Sequence, residues 1–136
     1  MSKKTVKDIM HKQPLTVRCQ TPLSDIINTL ISSQQTQLPV VNSANKLIGM
    51  VSLIDCQTAL LISAYHCDKP VRVNDIMAKN FTFLTADEDL SEVAIKTQKQ
   101  TESIFPVIES GKLIAIMRRT DLLRHLQNNL SLCSGK

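Results

Sequence analysis

Val6-Lys7-Asp8-Ile9-Met10 returns as Val73-Asn74-Asp75-Ile76-Met77, and this doubling governs how the rest of the chain is read. The two aspartates are 75 − 8 = 67 positions apart, and Leu23-Ser24 returns as Leu90-Ser91 at the same spacing. Pro39-Val40 likewise returns as Pro106-Val107. Beyond Ser43 the spacing falls to 66: Lys46-Leu47-Ile48 becomes Lys112-Leu113-Ile114, and Asp55 becomes Asp121. One residue lost from a stretch of turn residues accounts for the change. The chain therefore divides into a first repeat, 1–65, a second, 66–130, and a tail, 131–136, expected to fray. A unit of ~60 residues buries little core alone, so the repeats are expected to pack together as one module.

Each repeat spells the same order of elements, β-α-β-β-α. A short extended piece (Leu15 to Val17, or Thr82 to Leu84) leads into a helix. In the first repeat Thr21 is expected as N-cap with Pro22 opening the helix. Leu23, Ile26, Ile27, Leu30 and Ile31 then recur at helical spacing, an amphipathic stripe. In the second, Asp87-Glu88-Asp89 marks the helix start, and the weaker stripe is Leu90, Val93, Ala94 and Thr97. Two β runs follow, Leu38 to Val41 with Leu47 to Val51, and Phe105 to Ile108 with Leu113 to Met117. Polar turn residues between them predict hairpins. Pro39 and Pro106 cannot donate to a ladder and are expected at strand starts or edges. Closing helices are expected from Leu53 to about Tyr65 and from Asp121 to about Leu130. The fold class is mixed α/β (α+β), two small sheets flanked by helices, with pseudo-two-fold symmetry between the repeats.

Composition narrows the function. Apolar residues make up 43% of the 136, an ordinary globular share, but aromatics only 3% with no Trp. The core must be aliphatic, and stacking platforms for single-stranded nucleic acid are lacking. The net charge is +4, yet the only tight basic pairs are Lys3-Lys4 and Arg118-Arg119, which argues against a nucleic-acid footprint. No apolar run nears the ~20 residues of a membrane span, and the basic start lacks a signal peptide's apolar core. Cys19, Cys56, Cys67 and Cys133 fall at irregular spacings that suit neither a disulfide framework nor a zinc site. A cytoplasmic setting with reduced thiols follows. His11, His66 and His125 lie on different element types and read as solvated or loop side chains rather than catalytic ones.

The doubled order, with D-I-M at each start, P-V before each hairpin and an aspartate at the last helix, resembles the CBS domain family. The resemblance covers roughly residues 5 to 128 and leaves no length for an attached enzyme, so a stand-alone pair is implied. The family's adenosine-nucleotide pattern is Gly, apolar, any residue, Ser or Thr, two residues, Asp. The first repeat has it whole as Gly49, Ser52 and Asp55. A small residue lets ligand approach backbone, Ser52 can present its hydroxyl to phosphate at a helix N-terminus, and Asp55 offers two acceptors to a ribose diol. Ser52-x-x-Asp55 is equally a helix capping box that binds nothing. The second repeat departs from the pattern: Asp121 is kept, but Ala115 replaces the glycine and Arg118 the hydroxyl residue, with Thr120 as a substitute hydroxyl or N-cap.

By the same resemblance, the Ser52/Asp55 cleft would take adenine between Met77-Ala78 and Ser103-Ile104-Phe105. The Asp121 cleft would use Met10-His11 and Gln37-Leu38, with Arg118 either meeting a phosphate or blocking the pocket with its bulk. With Asp55 on the ribose, Ser52 and Arg118 or Lys112 are expected to meet phosphate. Candidate ligands are AMP, ADP, ATP and S-adenosylmethionine, with no required cofactor and no metal. The implied function is an adenine-nucleotide sensor, not an enzyme, that signals to an unidentified protein partner and pairs as a homodimer. Ile27, Ile31, Leu60, Leu61, Leu122 and Leu126 are the residues expected at the dimer seam. The alternative is a dimerisation or docking module with no small-molecule site.

Overall fold

A computed structural model describes residues 4–64 and 69–134. Tyr65, His66 and Cys67 lie outside the described residues, as does the side chain of Cys133. In chain order the elements are α1 (Val6–Ile9), β1 (His11–Lys12), β2 (Val17–Arg18), α2 (Leu23–Ser33), β3 (Gln37–Val41), β4 (Leu47–Ser52), α3 (Leu53–Ser63), α4 (Val73–Ile76), α5 (Leu90–Thr97), β5 (Ile104–Glu109), β6 (Lys112–Arg118) and α6 (Arg119–Ser134). Two three-stranded sheets result, ordered β2-β3-β4 and β1-β6-β5. No helix among the described residues is long and apolar enough to cross a membrane.

The chain gathers into two compact units, and neither is a sequence repeat. The first unit holds Leu15–Phe81 and Gly111–Leu113; the second takes the chain up to Pro14, then Thr82–Ser110 and the chain from Ile114 on. Each repeat's D-I-M segment thus packs with the body of the other repeat. In the first unit Val73 N–H donates to Thr21 O and Leu23 N–H to Val71 O. In the second, Val6 N–H donates to Glu88 O and Leu90 N–H to Lys4 O. These bonds are counterparts at the repeat spacing, so the exchange is symmetric. Val6 and Val73 are each fully buried in the unit they join.

The D-I-M aspartate has a local reason to recur. Asp8 Oδ2 accepts from Thr5 N–H at 2.8 Å, and Asp75 Oδ2 from Arg72 N–H at 2.9 Å, each closing the N-terminus of a one-turn helix. The backbone bond holds the Asp8 carboxyl below its ordinary value of 3.8, with help from the Lys4 and Lys7 charges and the Thr5 hydroxyl; desolvation opposes them.

In the first unit β3 pairs antiparallel with β4, Leu38 opposite Val51, and parallel with β2 from Val40 onward. Pro39 therefore sits inside the central strand, one residue before the β2 ladder begins, where its missing N–H costs least. The core holds Ile26, Leu30, Leu38, Val40, Val51 and Val73. The second unit buries Val6, Leu84, Leu90, Val93, Phe105 and Met117. Its β5–β6 hairpin turns on Ser110 and Gly111, φ 53° and 81°, the pair of positive angles a two-residue hairpin requires.

Several sequence expectations shift. Thr21 is not the N-cap of α2, because its hydroxyl donates to Arg18 O at 2.6 Å and its carbonyl accepts from Val73; Pro22 takes the cap position. α3 ends at Ser63. α6 starts at Arg119, which places Thr120 in its first turn rather than at a cap. It also runs through Ser134 into the expected tail, since no glycine or proline interrupts it before Gly135. Leu122, assigned from sequence to a dimer seam, is a core residue 2% exposed.

Candidate functional site

The junction of β4 and α3 carries the best-formed site in the first unit. Ser52 leaves the strand in extended conformation and caps α3: Asp55 N–H donates to Ser52 Oγ at 3.1 Å, and Ser52 N–H donates to Asp55 Oδ2 at 3.0 Å. The capping box anticipated as an alternative is therefore present. It does not exhaust either side chain. The Ser52 hydroxyl accepts there and still has its own O–H to donate. Asp55 Oδ2 is committed, while Oδ1 has no hydrogen-bond partner among the described residues. A half-buried carboxylate oxygen and a hydroxyl thus stand together at the N-terminus of an eleven-residue helix.

Gly49 lies against a returning segment of the chain. A Cβ there would lie 2.6 Å from Met77 Sδ, 2.8 Å from its Cγ and 3.0 Å from Ala78 O. Ala78 pairs with Met50 through two backbone bonds, N–H to O at 2.8 and 3.0 Å. The glycine makes room for the returning Met77-Ala78 segment, which is thereby fixed beside the strand that leads to Ser52. Met77 and Ala78 consequently share a unit with Gly49, Ser52 and Asp55. Ser103, Ile104 and Phe105 belong to the other unit. Phe105 is fully buried in that unit's core with the Arg119 guanidinium 5.1 Å from its ring centroid, so its ring is not presented to a base. Ile104 and Leu38 are also buried, at 4% and 2% exposure.

The second unit brings Asp121 to His11, with a contact the sequence did not reveal. His11 Nε2–H donates to Asp121 Oδ2 at 2.6 Å, and Arg124 Nη1 donates to Oδ1 at 3.1 Å. Both carboxylate oxygens are engaged. A cleft of about 330 Å³ surrounds them, with Lys4, Asp8 and His125 also on its wall. The signal was present in the repeat comparison: the counterpart of His11 is Ala78 and that of Arg124 is Thr58. Arg118 is exposed at the end of β6. Gln37 and Leu38 lie on β3 of the first unit. Lys112 opens β6 and bridges Lys46 at the hairpin tips.

Burial, with the Asp55 charge beside it, pushes the Cys56 thiol above its ordinary value of 9.0 and away from the reactive thiolate. No cluster of metal-ligating side chains occurs among the described residues.

Comparison with known proteins agrees with this architecture. The CBS domain pattern matches residues 6–62 and again 73–128, and the chain belongs to the CBS domain family. The CBS domain pair of protein MJ0100, solved in complex with 5′-methylthioadenosine and S-adenosyl-L-methionine, superposes with a TM-score of 0.77 at 27% identity, covering 94% of this chain and 99% of that one. CBSX2 in complex with AMP gives 0.78 at 25% identity, covering 91% and 96%. Among curated relatives, a homoserine O-acetyltransferase of Methanococcus vannielii is 26% identical over 114 residues, 84% of this chain. The chain spans only 23% of that relative's length.

Proposed function

We propose that this CBS pair is a regulatory module that binds an adenine nucleotide at the Gly49–Asp55 junction and catalyses no reaction. The observation that carries the proposal is the Asp55 carboxylate, with Oδ2 spent on the cap and Oδ1, beside the Ser52 hydroxyl, without a partner among the described residues. An acceptor of that kind suits a ribose hydroxyl, and the N-terminus of α3 suits a phosphate. The adenine compounds bound by two CBS-pair neighbours support the same ligand class, namely AMP, ADP, ATP or S-adenosylmethionine. Binding would bias the protein between conformational states that a protein partner senses, most simply in the cytoplasm.

A homodimer through the α2–α3 face completes the proposal. Ile31, Leu60 and Leu61 are more than half exposed there and line an apolar groove of about 430 Å³ with Ile27 and Leu53. Sedimentation should give twice the chain mass for the parent and a monomer for Leu60→Glu; a monomeric parent would remove the dimer.

The nucleotide site is tested by thermal unfolding against AMP, ADP, ATP and S-adenosylmethionine. A ligand at ~100 times its dissociation constant stabilises by about 2.7 kcal/mol, several degrees at this size. The shift should vanish in Asp55→Asn, whose amide oxygen keeps the cap while its nitrogen replaces the open acceptor. No shift with any compound would leave Ser52 and Asp55 as a capping box only. The apolar groove would then define the alternative, a docking module without a small-molecule site.

A further inference from the structure

The two aspartates at the strand–helix junctions are not equivalent, and the difference lies in two side chains. Asp55 keeps an oxygen without a partner among the described residues, whereas Asp121 has Oδ2 on His11 at 2.6 Å and Oδ1 on Arg124 at 3.1 Å. Asp121 is well shielded, its side chain 18% accessible, while His11 is 44% accessible and joins β6 through the ladder His11 opposite Ile116. The first repeat has Ala78 and Thr58 at these two positions and can build no such contact.

We infer that His11 is an internal latch: its imidazole occupies the carboxylate oxygen a ligand hydroxyl would need, keeping the Asp121 junction closed while the Asp55 junction stays open. The inference rests on the nucleotide-binding proposal and goes beyond it, since it assigns one working site per chain and names the residue that silences the other. A ligand hydroxyl needs an open carboxylate acceptor, which Asp55 offers at Oδ1 while both Asp121 oxygens are engaged. At Asp121 a ligand must first displace a charge-assisted hydrogen bond, so its apparent association constant is multiplied by the fraction of molecules in which the latch stands open. Arg124 alone cannot close the junction, because at 70% side-chain accessibility and 3.1 Å it is a solvated ion pair of little strength. His11 acts on the carboxylate and not on substrate chemistry, so it is a positioning residue.

Adenosine and AMP titrated by calorimetry into four proteins test this: the parent, Asp55→Asn, His11→Ala and Asp55→Asn/His11→Ala. Adenosine removes any phosphate contact from the comparison. In the Asp55→Asn background, removing His11 should tighten adenosine roughly three- to tenfold. In the parent background it should raise the stoichiometry from about one toward about two ligands per chain. His11 is exposed, and His11→Phe, which lacks the donor, should behave like His11→Ala. AMP binding in the parent with no gain on removing His11 would overturn the latch and leave the Asp55 site standing. A loss of AMP affinity in His11→Ala would make His11 a ligand-binding residue, also overturning the latch. Absence of binding in all four proteins would overturn both proposals.

Discussion

Gly49 carries a constraint that a single methyl group would expose. A Cβ at 2.6 Å from Met77 Sδ forces that flexible side chain aside, but the 3.0 Å approach to Ala78 O meets backbone held by the Met50 bridge. Gly49→Ala should therefore cost about 1–3 kcal/mol in urea unfolding, the usual cost of overpacking. Shortening the neighbour in Gly49→Ala/Met77→Ala should recover part of it. Equal stability of Gly49→Ala and the parent would mean that the glycine serves something other than the Met77-Ala78 segment. Asp8 makes a prediction of a different kind. Its carboxyl is held below 3.8 by the Thr5 N–H, so its stabilising contribution is present above that value and is lost as pH falls through the lowered one. The midpoint of thermal unfolding should drop more steeply between about pH 4 and pH 2 in the parent than in Asp8→Asn. Parallel curves would remove Asp8 as an acid-sensitive group.

Among the elements, α5 depends on a residue far from it in sequence. Arg119, the first residue of α6, donates to Thr97 O at 3.4 Å, Gln100 O at 3.0 Å and Glu102 O at 2.7 Å while its guanidinium lies over Phe105. The α5 C-terminus and the loop to β5 are thus tied to one planar fork. Arg119→Ala should cost about 2–3 kcal/mol in urea unfolding, and Arg119→Lys should recover little, since an ammonium cannot span three carbonyls. A parent-like Arg119→Lys would reduce the contact to simple charge.

What was legible in the sequence is what depends on short spacing. Within the α2 stripe Leu23, Ile26 and Leu30 are buried while Ile31 is 66% exposed, and α5 buries Leu90, Val93 and Thr97. Both hairpins follow their turn residues. Thr21 misled because a threonine before proline signals a cap equally well when its hydroxyl is taken by Arg18. Leu122 misled because helical spacing gives the apolar face of α6 but not what covers it. Phe105 is fully buried with the Arg119 guanidinium over its ring, a contact between residues fourteen apart that no short spacing announces. His11 and Asp121 are 110 residues apart, and only folding makes them partners.

At the scale of the whole molecule the compact unit is not the unit of repetition. Val6 and Val73 are fully buried, each with the other repeat's body, so cutting the chain at the repeat boundary strips both cores of a residue. A fragment of residues 15–81, which keeps nearly all of the first unit, should retain dispersed amide resonances and a cooperative urea transition. A fragment of residues 1–65, of similar length, should not, because it carries Val6 without its partners and lacks Val73. Equal folding of the two would contradict the exchange of opening segments.

The account turns on one carboxylate. Calorimetric titration of AMP into the parent and Asp55→Asn tests it most directly, with urea unfolding of both to establish that the cap survives. The account predicts saturable binding to the parent and at least a tenfold loss in the variant, the order expected when a charged acceptor is replaced by an amide. Binding of equal strength in two equally stable proteins would contradict it, and Asp55 would then be a helix cap and nothing more.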